Sequence, residues 1–149
     1  MGKIKYFGAY IIPLLGLLTF NSTGIYAYLG LIFLYMLVPI LEQVITPDAY
    51  NLDSVEKELV REDFFFDLVL YLLVPFHLFV IYSFLVNIST PGLAVSDIIA
   101  KVLMMGTILG VNGINVGHEL GHKTNQPFKL FLAHLMLTTS LQNHFMPYH

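Results

Sequence analysis

The chain has 149 residues, of which 56% are hydrophobic and only 11% are Asp, Glu, Lys or Arg. Because an ordinary soluble domain carries about 25% charged residues, this composition excludes a disordered chain and a coiled coil and indicates a membrane protein. A net charge of −3 leaves no basic surface for phosphate groups, so no nucleic acid is expected as a partner. The sequence has no cysteine, and therefore neither a disulfide framework nor a thiolate metal site.

Apolar stretches follow one another along the chain and predict an all-α integral membrane protein in a single domain, 1–149. A hydrocarbon core of about 30 Å needs about 20 helical residues. Four transmembrane helices, forming two helical hairpins, are predicted at 4–20, 25–45, 64–86 and 93–116. A fifth apolar stretch, 128–141, is shorter and predicts half a span, a re-entrant segment or an interfacial helix.

The basic residues predict how these spans are oriented. Six of the seven lie at or just before the start of the first span, in the loop 46–63 or after the fourth span, and Lys101 is the exception. Since basic residues favour the cytoplasmic side, the N-terminus and the histidine-rich end are both predicted to be cytoplasmic. The loop 46–63 also holds six acids, which predict a short solvated helix or, alternatively, a docking surface for a soluble partner.

The stretch 113–123, GINVGHELGHK, carries the strongest chemical signal. On a helix, His118 and His122 lie about 40° apart and one turn removed, so both imidazoles can reach one metal ion. Imidazole binds zinc, iron, copper and nickel, so the spacing alone does not choose the metal. Asn112 and Asn115 are expected to face the bundle interior, either as interhelical hydrogen-bonding groups or as support for the metal ligands.

Four more histidines lie outside this motif. His144 and His149, near the end of the chain, are further candidate ligands. His134, inside the fifth apolar stretch, is predicted to be packed or interfacial. His77 lies in the middle of the third span, where an imidazole needs a partner, and it is predicted to be a hydrogen-bonded core residue rather than a ligand.

The pattern His-Glu-x-x-His is shared by two families of membrane enzymes. It is similar to the motif of the intramembrane site-2 zinc proteases. That resemblance implies one zinc ion held by His118, His122 and an Asp from a later helix, with Glu119 as the general base that activates a water molecule. A non-catalytic membrane fragment is a further alternative, and it predicts that replacing these histidines leaves the metal content unchanged.

The whole stretch 113–123 resembles the first histidine box of the membrane-bound alkane monooxygenases, which are di-iron enzymes related to the fatty-acid desaturases. The second box of that family begins with His-Phe, which His144 and Phe145 match, and His149 occupies a later histidine position. Tyr148 stands where the family usually has Glu. The resemblance covers roughly the N-terminal half of a family member, which implies a part of a larger helical bundle.

This resemblance implies a non-haem di-iron monooxygenase that uses dioxygen to hydroxylate the terminal carbon of an alkane or fatty-acyl-type chain taken from the bilayer. Two iron ions would be held by four histidines: His118, His122, His144 and His149. Glu119 would orient a ligand, with Asn115 in support. Electrons would come from a rubredoxin or a ferredoxin, and the enzyme would lie in a bacterial inner membrane. Four imidazoles cannot fill two open iron sites, so the 149-residue chain alone is expected to be inactive.

Overall fold

The computed structural model describes residues 3–44, 64–121 and 126–140, and every regular element within these ranges is a helix. The helices are α1 (Phe7–Phe20), α2 (Gly24–Val44), α3 (Phe64–Ile88), α4 (Val95–Gly121) and α5 (Pro127–Thr139). The predicted helix within the loop 46–63 lies outside the described residues. The all-helical class predicted from the sequence is confirmed.

Three of these helices, α2, α3 and α4, are long and apolar enough to cross a membrane. Helix α1 is apolar but shorter, and its first residues belong to the 3-10 turns Lys3–Tyr10. A total of four spans therefore stays a prediction. Helix α4 begins after a turn in which Gly92 has a φ of 79°, and it continues to Gly121, five residues beyond the predicted end at 116.

Contacts at the two ends of α1 establish the direction of the helices. The Tyr10 hydroxyl donates to the Val69 carbonyl, 2.7 Å away, in the first part of α3. At the other end of α1, the rings of Phe20 and Phe84 lie 5.3 Å apart. Helices α1 and α3 thus run in the same direction. Asn112, near the end of α4, donates to the carbonyl of Ala9, so α4 runs the opposite way.

Helix α2 runs alongside α4. The Tyr28 hydroxyl donates to the Ser96 carbonyl at 2.7 Å, and the Tyr35 hydroxyl lies 3.0 Å from the Thr107 hydroxyl. The first contact joins the starts of α2 and α4, and the second joins residues farther along both helices. The two helices are therefore parallel. The start of α1 and the end of α4 consequently lie at the same end of the bundle, as the predicted topology requires. The membrane side that this end faces stays a prediction.

Two charged side chains of α4 close the turn between α1 and α2. Lys101, which is only 2% exposed, donates to the Phe20 carbonyl at the end of α1. The Asp97 carboxylate accepts a hydrogen bond of 2.8 Å from the Gly24 amide at the start of α2. The Lys101 ammonium group therefore lies at the C-terminus of α1 and the Asp97 carboxylate at the N-terminus of α2. Each charge is stabilised there by the unpaired backbone groups and the dipole of the helix end. This explains the exception in the charge pattern, because Lys101 is a buried structural residue.

Helix α5 runs beside α3 into the bundle. Near its start, Lys129 lies 2.5 Å from Asp67 of α3, and at its end Thr139 lies 3.3 Å from His77. Ten residues separate the two contacts on each helix, so the two helices are parallel over about 15 Å. Which of the three predicted forms this segment takes in the membrane stays a prediction.

Two apolar clusters hold the described helices together. One lies between α3, α4 and α5 and consists of Leu70, Leu73, Val74, Val116, Leu120, Leu132, Ala133 and Met136. The other lies between α1, α3 and α4 and consists of Phe20, Val80, Met104, Met105 and Ile108. The first cluster packs behind the part of α4 that carries the histidine motif. It therefore gives that motif a rigid support.

Candidate metal centre

The described part of the histidine motif, residues 113–121, lies on the last turns of α4. His118 is exposed and Glu119 is partly buried, whereas Val116, Gly117 and Leu120 are buried. Helix α4 continues without interruption to Gly121, so the helical placement predicted for His118 is confirmed. The motif thus has one side packed in the bundle and one side open.

The two asparagines before the motif occupy different environments. Asn112 is buried, and its side-chain nitrogen donates to the Ala9 carbonyl at 2.6 Å, so its predicted interhelical hydrogen bond is confirmed. Asn115 is exposed, so the expectation that it faces the bundle interior was wrong for the part of the chain that the structure describes. Asn115 lies nearly one helical turn beyond Asn112, the residue of α4 that contacts Ala9 of α1. It lies on the open side together with His118.

Helices α4 and α5 pack closely because α4 has two glycines on the shared side. A Cβ atom at Gly113 would overlap the Ser140 hydroxyl, and one at Gly117 would lie 2.8 Å from Leu137 Cγ. Small residues four positions apart permit such close contact between helices in a membrane. The sequence interpretation missed this role, although the spacing Gly113-x-x-x-Gly117 was available as a signal. The result is that α5 lies directly against the helix that carries His118.

Ser140, the last described residue after α5, contacts the Gly113 position of α4, and Gly113 precedes His118 by about 7.5 Å along the helix axis. The segment that follows Ser140, with His144 and His149, lies outside the described residues.

The described residues contain part of the predicted ligand set. His118 belongs to them, whereas three predicted ligands lie outside: His122, His144 and His149. Within the described ranges, no three His, Asp or Glu side chains group together as metal ligands would. The four-histidine set therefore stays a prediction.

The remaining two histidines lie elsewhere on the bundle. His77 is completely buried, and its Nε2 atom lies 3.3 Å from the Thr139 hydroxyl, which confirms a hydrogen-bonded core residue. His134 is exposed on α5, so the packed alternative is not what the structure shows, and the interfacial alternative stays a prediction. His134 is thus suited as a control for experiments on His118.

The sequence of the chain was compared with those of known proteins. No family model matches the chain. The chain is 30% identical over 139 residues to alkane 1-monooxygenase 1 of Alcanivorax borkumensis, which covers 92% of the chain and 34% of that relative. The chain resembles the alkane 1-monooxygenases. The match to alkane 1-monooxygenase of Pseudomonas putida has 27% identity with the same coverage.

The resemblance to the alkane 1-monooxygenases that the histidine box predicted is therefore confirmed. The chain spans about a third of the length of the curated relatives it matches, 34% in the case of the A. borkumensis protein. The matched part includes nine tenths of the chain, far more than the motif itself.

Proposed function

We propose that the chain forms part of a membrane-bound, non-haem di-iron monooxygenase that hydroxylates the terminal carbon of an alkane or a fatty-acyl-type chain. The observation that carries this proposal is the similarity to alkane 1-monooxygenases over 92% of the chain, including the histidine motif at the end of α4. The substrate would come from the bilayer, and electrons would come from a rubredoxin or a ferredoxin.

The donor groups fit iron. Imidazole nitrogen is a ligand that ferrous iron accepts, and His118 presents one on the open side of α4. In the proposed set, His118 and His122 form one pair, and His144 and His149 form the other. When bound, the two irons would activate dioxygen, so that one oxygen atom enters the terminal C–H bond and the other leaves as water.

The chain's own polar residues would orient these ligands. Glu119 is partly buried beside His118, and a carboxylate there can hold an imidazole N–H of a ligand in a fixed direction. Asn115 lies on the same open side, three residues before His118, and offers a neutral amide for the same purpose. Neither residue is proposed as a ligand.

The exposed apolar side of α4 would guide the substrate. Large side chains along this helix remain exposed: Val95, Ile99, Val102 and Leu103 are 71%, 48%, 50% and 55% exposed. A hydrocarbon dissolved in the bilayer can contact such a surface without leaving an apolar environment. The polar motif at the end of α4 would lie near the membrane boundary, where a soluble electron donor could reach it.

Metal binding gives the first test. The chain is purified into lipid nanodiscs without oxygen and supplied with ferrous iron alone, and bound iron is measured by mass spectrometry. His118→Ala should lose most of the iron, whereas the matched variant His134→Ala should retain it. Equal iron in both variants would contradict the proposal.

Product analysis gives the second test. Cells that express the complete monooxygenase of which the chain is proposed to form part, with a rubredoxin and its reductase, are fed an alkane under isotopically labelled dioxygen. The proposal expects label in a terminal alcohol, and none in cells that express His118→Ala. A terminal alcohol without label would show that the oxygen atom does not come from dioxygen.

A further inference from the structure

The buried residues of α4 change register halfway along the helix. In the first part they recur every three or four residues, as one side of a regular helix requires: Asp97, Ala100, Lys101, Met104, Met105 and Ile108. Continued at the same spacing, this side would include Asn115. Instead Asn115 is exposed, and Val116 and Leu120 are buried. The buried side has therefore moved by one residue between Ile108 and Val116.

A π-helical turn, Leu109–Gly113, lies where the register changes. In an α-helix, the Ile114 amide would donate to the Gly110 carbonyl, four residues earlier. Here the Ile114 amide reaches the Leu109 carbonyl, five residues earlier. Such a turn holds one residue more than an α-helical turn, so the helix after it is rotated back by about 100°, the angle of one residue.

This rotation accounts for the side on which the following residues lie. Measured around the helix axis from the buried Ile108, an unbroken α-helix would place Asn115 about 20° away and Leu120 about 120° away. With the extra residue the two angles are exchanged, to about 120° for Asn115 and about 20° for Leu120. The exchanged angles match the structure, in which Leu120 is 1% exposed and Asn115 is exposed.

The same rotation acts on His118. In an unbroken helix, His118 would lie about 80° from Ile108 around the axis, whereas with the π-helical turn the two lie about 180° apart. Helix α3 packs against α4 both before and after the turn, since Val80 belongs to the cluster of Ile108 and Val74 to that of Val116. His118 thus lies on the side of α4 opposite to the one that α3 covers.

Two hydrogen bonds connect the π-helical turn to its neighbours. Ser140, the residue after α5, has its hydroxyl 3.2 Å from the carbonyl of Leu109, the first residue of the turn. Asn112, inside the turn, donates to the Ala9 carbonyl of α1 at 2.6 Å. Contacts from α1 and from the end of α5 therefore hold the turn at this place in α4.

We propose that the π-helical turn Leu109–Gly113 aims His118 at the open side of α4, and that Ser140 and Asn112 are positioning residues that hold this turn. The inference rests on the proposed function in one respect, because it takes His118 as a metal ligand. The side of α4 that faces α3 is filled by apolar side chains. A ligand on the opposite side can be joined by further ligands, and the turn is what brings His118 there.

Deletion of Gly110 tests the turn directly. Without the extra residue the turn becomes α-helical, and the part of α4 that follows should rotate by about 100°. Gly110→Ala is the matched control, because it keeps the number of residues and a Cβ atom there would meet nothing within 4 Å. The full chain is studied in nanodiscs, where circular dichroism verifies that each variant is folded.

Single cysteines report the rotation, because the chain has no cysteine of its own. The probe is N-ethylmaleimide, which dissolves in water and in lipid. With the turn intact, Asn115→Cys should react at least about tenfold faster than Leu120→Cys, since a buried thiol reacts only after local opening. Deletion of Gly110 should reverse this order, and Gly110→Ala should preserve it. General unfolding would make both cysteines reactive and therefore cannot produce a reversal.

Ser140→Ala and Asn112→Leu test the positioning residues without changing the length of the chain. Each removes one hydrogen bond that holds the turn, so each should reduce the ratio of the two labelling rates at least about threefold. Thr138→Val is the matched control, since its hydroxyl is exposed and donates to the His134 carbonyl within α5. This variant should leave the ratio unchanged.

Bound ferrous iron, measured by mass spectrometry, connects the turn to the metal. In the chain without cysteine substitutions, deletion of Gly110 should lower the bound iron to the level of His118→Ala. Gly110→Ala should retain the iron of the unsubstituted chain. The labelling needs no metal, so it tests the direction of the helix separately from the proposed function.

Each other outcome overturns a specific statement. If Asn115→Cys still reacts faster after deletion of Gly110 in a folded chain, the turn does not aim this part of α4. If the deletion prevents folding, an unchanged labelling ratio in both Ser140→Ala and Asn112→Leu overturns the inference. If the labelling order reverses while the iron is retained, His118 is not a ligand and the proposed metal centre fails instead. An unsubstituted chain that binds no iron would likewise count against the proposed metal centre alone.

Discussion

Lys129 of α5 and Asp67 of α3 form an ion pair in which Nζ lies 2.5 Å from Oδ2. Lys129 is 2% exposed, Asp67 is 19% exposed, and the ammonium group also lies 5.8 Å from the centre of the Tyr71 ring. The pair joins the start of α5 to the first turn of α3. With the bond between Thr139 and His77 at the other end, it fixes the position of α5 along α3.

Removing the carboxylate should leave a buried cation without its counterion. We expect Asp67→Asn to lower the free energy of unfolding by about 3 kcal/mol, because an unpaired buried charge is strongly unfavourable. Equilibrium unfolding of the chain in mixed micelles, followed by circular dichroism, measures this change. The double variant Asp67→Leu with Lys129→Met should be more stable than Asp67→Asn, since neither charge remains. A double variant as unstable as the sum of its single variants would contradict the coupling.

The sequence predicted the long helices correctly because their signal is local. Apolar runs of about 20 residues leave few alternatives once the chain is in a bilayer. The position of α5 was left open among three forms, since the ion pair that holds it joins residues 62 positions apart. In the charge pattern, Lys101 was the exception and Lys129 was one of the basic residues after the fourth span. Both are buried with specific partners, which the charge pattern alone does not reveal.

The local structure around the candidate site was predicted in part for the same reason. The helical spacing of His118 and Glu119 is a local property, and the structure confirms their helix. The environment of Asn115 depends on where α1 stops covering α4, which no local pattern encodes. The close packing at Gly113 and Gly117 also depends on a second helix, although the four-residue spacing of these glycines could have indicated it.

Close packing between α4 and α5 should make Gly117 intolerant of a larger side chain. The Cβ atom of Gly117→Ala would meet Leu137 at 2.8 Å and Met136 at 3.3 Å, so the helices must separate. We expect a loss of about 1–3 kcal/mol in the free energy of unfolding, as for other overpacked cores.

Gly106 provides the matched control, since a Cβ atom there would meet nothing within 4 Å. Gly106→Ala should therefore be neutral or slightly stabilising, because alanine favours a helix by about 0.5–1 kcal/mol over glycine. Both variants are compared in the same micelle unfolding assay. Equal stability of the two variants would show that α5 does not pack against Gly117.

Glu119 distinguishes the oxygenase from the protease, because the two interpretations give it different tasks. In the oxygenase, Glu119 orients a ligand. The variant Glu119→Gln keeps the volume of the side chain and an acceptor oxygen but removes the charge. We expect this variant to retain iron at an affinity about tenfold to a hundredfold lower, as for other residues that support metal ligands. His118→Ala should lose the iron outright.

If Glu119→Gln loses as much iron as His118→Ala, the carboxylate is itself a ligand. If it binds zinc rather than iron and loses only peptide hydrolysis, Glu119 is the general base of a protease.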